Sequence, residues 1–212
     1  WNNFTAASCN WVTNSNDTSN QFNTSVTGVA QGNFYAGIES QQVFDSNSDG
    51  WGDMGSQYPV NNSTWSSKWS GPGADFGPAT TRAFSCDNLS TAGMTYNMTA
   101  NVSISGSTCF NVTAANVTLN CSGYTITGNN ATGTSGVYST KFNTTVKNCD
   151  IRNFQYGILY SNASNGTMTN DNTTITHSTG VGIYLNNSAS YNRITSSRGN
   201  SSAYTGIFLN NS

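Results

Sequence analysis

The second half of the chain alternates short apolar and β-branched segments with turns rich in Asn, Ser and Gly. A phrase of Gly, an aliphatic residue and another apolar residue recurs at spacings of 21, 25 and 24 residues. Further short alternating segments lie between its copies. Strands of about three to five residues, two or three to a repeat, predict the coils of a parallel β-helix. The four copies of the phrase are Gly136–Tyr138, Gly157–Leu159, Gly182–Tyr184 and Gly206–Phe208.

The pattern predicts an all-β chain with a parallel β-helix over about residues 87–212, within a domain of residues 86–212. Its coils would stack about 4.8 Å apart around an aliphatic interior. Residues 10–85 differ, because all five Trp lie at or before Trp69 and because short alternating runs replace the repeat. We predict a small β-sandwich-like or capping module there, since an open β-helix end needs a cover.

The two ends of the chain carry related patterns. The last coil stops at Leu209–Ser212, whereas the preceding coil continues through Tyr191–Thr195. Trp1–Thr5 matches that continuation, so we predict that residues 1–9 form a strand completing the last coil of a neighbouring copy. A head-to-tail contact that does not close grows as a fibre. The neighbour is either the next repeat of a long polypeptide or the next subunit; a chance match of low-complexity sequence is the alternative. The residues predicted to make this contact are Trp1, Phe4, Ile207 and Leu209.

Composition narrows the classes of function. Only 8% of the residues are charged, while the chain contains 32 Asn, 30 Ser and 29 Thr. These three residue types favour turns over helices, which supports the all-β prediction. Seven Lys and Arg against nine Asp and Glu leave no basic surface for nucleic acid. No run of 18 apolar residues is present, so we predict no membrane span.

Asn-x-Ser/Thr sequons are unusually frequent. The chain has 19, whereas chance placement predicts roughly nine. The excess favours N-glycosylation, and with five Cys it favours an oxidising, extracytoplasmic compartment. Alternatively, turns rich in Asn and Thr generate sequons without glycosylation. The sequon residues are Asn3, Asn16, Asn23, Asn61, Asn62, Asn88, Asn97, Asn101, Asn111, Asn116, Asn120, Asn130, Asn143, Asn162, Asn165, Asn172, Asn186, Asn200 and Asn210.

Three segments carry a resemblance to a known group: Asn116–Gly128, Thr145–Ser164 and Gly182–Ser190. They resemble right-handed parallel β-helix repeats of surface glycoproteins from archaea and uncultured microbes, and of periplasmic copper-site maturation proteins. The resemblance covers about residues 87–212. It implies the right-handed β-helix fold but no particular activity, because the same repeat carries lyases, adhesins and structural proteins.

An Asp-rich loop at residues 45–53 has the spacing of a calcium site. Oxygen side chains at positions 1, 3, 5 and 9 converge on one cation, Gly50 permits the sharp turn, and position 7 supplies a carbonyl. Ser56 stands where an EF-hand has its bidentate Glu, so the loop more closely resembles thrombospondin type-3 and dockerin-like repeats. A solvated acidic turn is the alternative. The predicted Ca²⁺ ligands are Asp45, Asn47, Asp49, Trp51 and Asp53.

The cysteines sort by their place in the repeat. Cys121 and Cys149 follow equivalent strands one coil apart, and this separation suits a disulfide. Cys86 and Cys109 bracket the first strand of the β-helix and would join its capped end. Cys9 is then left free or intermolecular. Other pairings remain open from the sequence alone.

Residues for catalysis are few. The single His, His177, lies in a Thr/Ser-rich corner without an adjacent nucleophile. The β-helix offers only three carboxylates, of which Asp150 alternates onto the same face as Arg152 and suits a solvated ion pair. We therefore predict that the protein is not an enzyme. The other two carboxylates are Asp87 and Asp171.

These observations predict a structural, heavily N-glycosylated protein of the cell surface or extracellular space. It would assemble head to tail into a filament or surface layer, with copies of itself as partners and with Ca²⁺ and N-linked glycans bound. The alternative is an adhesin or carbohydrate-binding module that binds surface glycans through aromatic residues such as Trp65 and Trp69. A weaker alternative is a fragment of a polysaccharide lyase whose catalytic coils lie elsewhere.

Overall fold

The computed structural model describes residues 3–4, 12–13, 22, 24–26, 29–38, 41–45, 49–55, 57–80 and 84–210. The chain divides into two compact units, Trp1–Phe84 and Ser85–Ser212. We call them the N-terminal unit and the β-helix. Within the described ranges, no helix is long and apolar enough to cross a membrane.

The N-terminal unit is built from short strands in two-stranded sheets. In its described part, β1 pairs with β5 and β2 with β7 in parallel, while β3 pairs with β4 and β6 with β8 antiparallel. Its apolar core includes Trp69, Tyr35 and Ile38. The strands are β1 (Asn3–Phe4), β2 (Val12–Thr13), β3 (Thr24–Val26), β4 (Val29–Gln31), β5 (Phe34–Tyr35), β6 (Val60–Asn61), β7 (Trp69–Ser70) and β8 (Ala74–Asp75).

The second unit is a parallel β-helix, which confirms the predicted all-β class. Its strands are β9 (Asn88–Leu89), β10 (Thr95–Asn97), β11 (Val102–Ser103), β12 (Phe110–Val112), β13 (Thr118–Asn120), β14 (Thr125–Thr127), β15 (Ser135–Ser139), β16 (Thr145–Lys147), β17 (Asp150–Arg152), β18 (Tyr156–Ser161), β19 (Thr167–Thr169), β20 (Asn172–Ile175), β21 (Val181–Asn186), β22 (Arg193–Thr195), β23 (Arg198–Ser201) and β24 (Thr205–Asn210). Sheet A has the order β9-β12-β15-β18-β21-β24, sheet B β10-β13-β16-β19-β22, and sheet C β11-β14-β17-β20-β23.

Alternation along each strand directs one residue inward and the next outward. In sheet A, Val137, Ile158 and Ile183 pair in register and are fully buried or nearly so. In sheet B, the equivalent inward column contains Leu119 and Met168. Inward apolar residues therefore stack on apolar residues of the next coil, as the repeat predicted.

The glycine of the recurring phrase is required by close backbone approach. A Cβ on Gly157 would lie 2.4 Å from the carbonyl oxygen of Gly182 and 2.7 Å from the Thr173 Cγ2. On Gly182 it would meet the Gly206 carbonyl oxygen at 2.5 Å. No side chain fits at these distances, so the sequence repeats Gly wherever this strand position of sheet A recurs.

Asn residues form the corners of the coils. Asn116, Asn143 and Asn165 adopt left-handed backbone with φ of 59°, 54° and 57°, a conformation that Asn tolerates better than most residues. The Asn143 Nδ2 donates to the Asn116 Oδ1 at 3.0 Å. Asn116 and Asn143 therefore serve both the local turn and an amide ladder between coils.

Candidate functional site

The terminal coil of the β-helix has open strand edges. It consists of β22, β23 and β24, and each is the outermost strand of its sheet in the described structure. Their outer N–H and C=O groups are available to another strand, because a sheet edge is a template for further pairing.

The apolar interior is also open at this end. Ile207 continues the inward column of Ile158 and Ile183, yet it is 42% exposed. Leu209 continues the column of the buried Tyr160 and Leu185, and it is 58% exposed. These two side chains would be buried if one more coil covered them, which would contribute about 1.5–3 kcal/mol for each fully buried side chain.

Of the four residues predicted for self-association, Ile207 and Leu209 lie together at this open end. Phe4 lies in β1, where Asn3 and Phe4 pair with Phe34 and Tyr35 of the same unit. Trp1 lies outside the described residues.

The Asp-rich loop has the backbone of a tight acidic turn. The buried Asp45 carboxylate accepts the Asp49 N–H at 3.1 Å and the Gly50 N–H at 2.8 Å. The Asp49 Oδ1 accepts the Trp51 N–H at 2.9 Å, and Gly50 has a φ of 90°. Asn47 and Ser56 lie outside the described residues. The part that is described contains no group of three or more His, Cys, Asp or Glu placed to hold a metal ion.

Both predicted disulfides are present. Cys86 is bonded to Cys109 with a Cα–Cα distance of 4.5 Å, and Cys121 to Cys149 with 4.8 Å. The second distance matches the stacking of adjacent coils from which the pairing was predicted. Cys9 is not among the residues that the structure describes.

Several sequon amides take part in ladders on the outer surface. The Nδ2 atoms of Asn111 and Asn120 donate to the Oδ1 atoms of Asn88 and Asn97, each at 3.0 Å, as Asn143 does to Asn116. At Asn116 and Asn143 the corner Asn is followed by an inward residue and an outward Thr. At these two corners the Asn-x-Thr sequence therefore coincides with the inward and outward alternation of the coil. Asn16 and Asn23 lie outside the described residues.

The residues considered for catalysis are scattered. Asp150 pairs with Arg152, whose Nε lies 3.1 Å from both carboxylate oxygens. Asp171 is buried, and burial raises its pKa to about 7. The His177 ring contacts Thr132 and Thr179 at 3.3 Å and 3.2 Å. The groove that Asp150 lines contains neither Asp171 nor His177.

A groove on sheet A was not found by sequence reasoning. It has a volume of about 290 Å³ and carries no charged side chain. The rings of Tyr184 and Phe208 stack at 5.2 Å, and Tyr204 meets Phe208 edge-on at 6.2 Å. The sequence did contain a signal for this groove, namely the aromatic residue that follows the Gly-aliphatic pair in three of the four repeats. In contrast, Trp69, which the alternative prediction offered as a surface platform, is 1% exposed and lies in the core. The groove is lined by Gln155, Tyr156, Thr179, Val181, Tyr184, Tyr204 and Phe208.

Comparison with known families gave one match. The family model described as "Periplasmic copper-binding protein (NosD)" matches residues 78–212. Neither the comparison with curated proteins nor that with solved structures gave a match.

Proposed function

The chain belongs to the NosD family, and from this premise we propose that it is a structural protein outside the cytoplasm that associates end to end with copies of itself. The family description supports an extracytoplasmic location, since the periplasm lies outside the cytoplasm. The observation that carries the proposal is the open terminal coil, where Ile207 and Leu209 are exposed although their columns are otherwise buried.

Electron microscopy of the purified chain tests this function. We expect fibres with an axial repeat of one chain, and discrete monomers at all concentrations would contradict the proposal. Leu209→Asp should weaken association at least about tenfold, because it places a charge in the contact. Phe142→Asp is the matched control, since Phe142 is 51% exposed but lies in the connection between β15 and β16. An equal effect of both substitutions would argue against the terminal coil.

N-linked glycans are part of the proposal. The supporting observations are the number of sequons and the exposure of residues such as Asn62, Asn88 and Asn97. Glycans there would shield the outer surface from lateral strand pairing. Mass spectrometry of the native protein should find them, and removing the sequons should cause lateral aggregation. Unmodified Asn at every described sequon would refute this part.

Calcium binding by the Asp-rich loop is a further part of the proposal. The left-handed turn at Gly50 and the hydrogen bond from the Asp49 N–H to the Asp45 carboxylate, which folds the loop back on itself, support it. Terbium luminescence sensitised by Trp51 should appear on titration and be abolished by excess Ca²⁺. Asp49→Asn should weaken it. Absence of sensitised emission would contradict calcium binding.

Copper, which the family description includes, does not fit the described residues. Protein copper sites use His, Cys and Met ligands. His177 is the single His of the chain, the four described Cys form disulfides, and three of the four Met, namely Met54, Met98 and Met168, are buried. The proposed function therefore includes no copper step.

A second candidate function is the binding of a neutral glycan in the groove on sheet A. The groove combines aromatic rings with the Gln155 amide and the Thr179 hydroxyl, and it has no charged lining residue. Sugars bind through such contacts with ring faces and amides. A glycan array should then show saturable binding that Tyr204→Ala weakens, whereas Tyr191→Ala, an exposed Tyr outside the groove, should not. Equal binding by both variants would remove this candidate.

A further inference from the structure

The terminal coil differs from the coils before it in charge as well as in burial. One outward column of sheet B contains Thr at four successive coils, Thr95, Thr118, Thr145 and Thr167, and then changes to Arg193. In sheet C the column that contains Asn172 ends in Arg198. Both arginines are exposed, and neither forms an ion pair with a described residue. Positive charge therefore accompanies the exposed apolar residues at the open end.

Net charge is divided unequally between the two units. Residues 1–84 contain six acidic and two basic residues, whereas residues 85–212 contain three acidic and five basic residues. In the described part of the N-terminal unit, Asp45 and Asp75 are buried, while Asp49 is exposed and Asp53 is half-buried. Among the described carboxylates of that unit, the accessible ones therefore belong to the Asp-rich loop.

We propose that the open end of the β-helix binds the acidic N-terminal unit of a second copy. Ile207 and Leu209 make the buried contact, and Arg193 and Arg198 attract the Asp-rich loop around Asp49. The inference rests on the proposed end-to-end association, and it adds which part of the partner is bound and by which charges.

Charge also decides between two modes of association. If two open ends met each other, the pair would close and would bring four arginines together. Like charges placed opposite each other oppose such a contact, whereas opposite potentials speed encounter and fix orientation. Interfaces of this kind combine an apolar centre with Arg. The head-to-tail mode satisfies both conditions, and it leaves a new open end after each addition.

A pair of charge reversals tests the proposal. Association of the 212-residue chain is measured by sedimentation velocity for R193E/R198E and for the control K141E/K147E. Both variants change the net charge equally, but Lys141 and Lys147 lie in an earlier coil. We expect R193E/R198E to weaken association at least about tenfold at about 0.05 M salt, and the control to stay within about twofold. The difference should shrink at about 0.5 M salt, where screening acts over a few ångströms.

A mixing experiment identifies the partner surface. D49K/D53K should also associate weakly on its own, and a mixture with R193E/R198E should recover association because the reversed charges attract again. Circular dichroism establishes that each variant is folded. A mixture that stays dissociated overturns the assignment of the Asp-rich loop.

The remaining outcomes separate this inference from the proposed function. Equal weakening by R193E/R198E and K141E/K147E, or association that salt does not change, overturns the electrostatic contact while end-to-end association stands. Particles that stop at two copies overturn the head-to-tail mode. A wild-type chain that stays monomeric at every salt concentration overturns both proposals.

Discussion

Asp75 in the N-terminal unit and Asp171 in the β-helix are both buried carboxylates, but their surroundings differ. Asp75 accepts hydrogen bonds from the Asn33 N–H at 2.8 Å, the Asn33 Nδ2 at 3.0 Å, the Tyr35 hydroxyl at 2.9 Å and the Gly77 N–H at 3.0 Å. The Asp171 Oδ1 accepts the Cys149 N–H at 3.0 Å, and its Oδ2 has no partner among the described residues. Burial raises the pKa of both groups.

The difference reflects how each unit is built. The N-terminal unit is irregular, so segments far apart in sequence can direct several donors at one group. In the β-helix, backbone N–H groups are used in hydrogen bonds between successive coils. Few donors are left to point inward, so a carboxylate in the interior is poorly compensated. We infer that the N-terminal unit depends on one polar centre, whereas the β-helix depends on many similar contacts along its axis.

The largest expected effect comes from Asp75→Ala. It removes the acceptor of four hydrogen bonds that buried groups donate, which should destabilise the N-terminal unit by on the order of 5 kcal/mol. All five Trp belong to this unit, so Trp fluorescence during urea unfolding reports on it alone. Ser67→Ala, at an exposed position of the same unit, is the control. A loss no greater than that of the control would contradict the idea of a single polar centre.

Asp171→Asn should change how the stability of the β-helix depends on pH. Burial raises the pKa of Asp171 from 3.8 to about 7 in the folded state. The folded state therefore binds a proton at this carboxyl group more tightly than the unfolded state does. Its stabilising contribution is complete below about pH 4 and is lost as the pH rises through about 7, a change of about 4 kcal/mol. Urea unfolding followed by far-ultraviolet circular dichroism should show this decline in the wild type and not in the variant. Parallel pH profiles would refute the prediction.

Removing the disulfide between Cys121 and Cys149 should cost somewhat less. The bond closes a loop with a sequence separation of 28 residues, for which loop-closure entropy predicts about 3.5 kcal/mol. The double variant C121S/C149S should unfold at lower urea concentration, while the Trp signal of the N-terminal unit shifts little. If both signals shifted equally, the two units would not be energetically separable.

Asn143 provides the smallest of the four tests. Asn143→Ala removes one amide from the ladder and places Ala at a φ of 54°, so we expect a loss of about 1–2 kcal/mol. Asn143→Gly keeps the backbone conformation available and removes only the amide, so its loss should be smaller. Thermal unfolding of both variants separates the ladder from the turn. An equal loss in both would assign the whole effect to the ladder.

Much of the β-helix was predictable because its contacts repeat. The spacing of the Gly-aliphatic phrase set the length of a coil, and alternation around Ile158 and Ile183 set which side chains point inward. The same register correctly predicted the disulfide between Cys121 and Cys149. Self-association through Ile207 and Leu209 stays a prediction, and no sequence pattern pointed to the arginines in the same coil.

The N-terminal unit was far less predictable. Asp75 lies in a Gly- and Pro-containing stretch that has the composition of a loop, and Asn33 is 42 residues away in sequence. No local pattern indicates that these residues meet. A single Trp in the sequence does not show whether its ring is exposed or buried. The alternative prediction of a surface ring at Trp69 is therefore wrong, since Trp69 packs in the core.

The sequence by itself determined the all-β class, the coil register and the stacked disulfides, since each follows from a period that neighbouring coils repeat. Tertiary structure alone decided the environments of Asp75 and Asp171 and the stacking of the Tyr184 and Phe208 rings. It also placed Arg193 and Arg198 in the same terminal coil as the exposed apolar residues. The physical reason is one of range. A periodic contact is encoded at every turn of the chain, whereas a single contact between distant segments is encoded only by the completed fold.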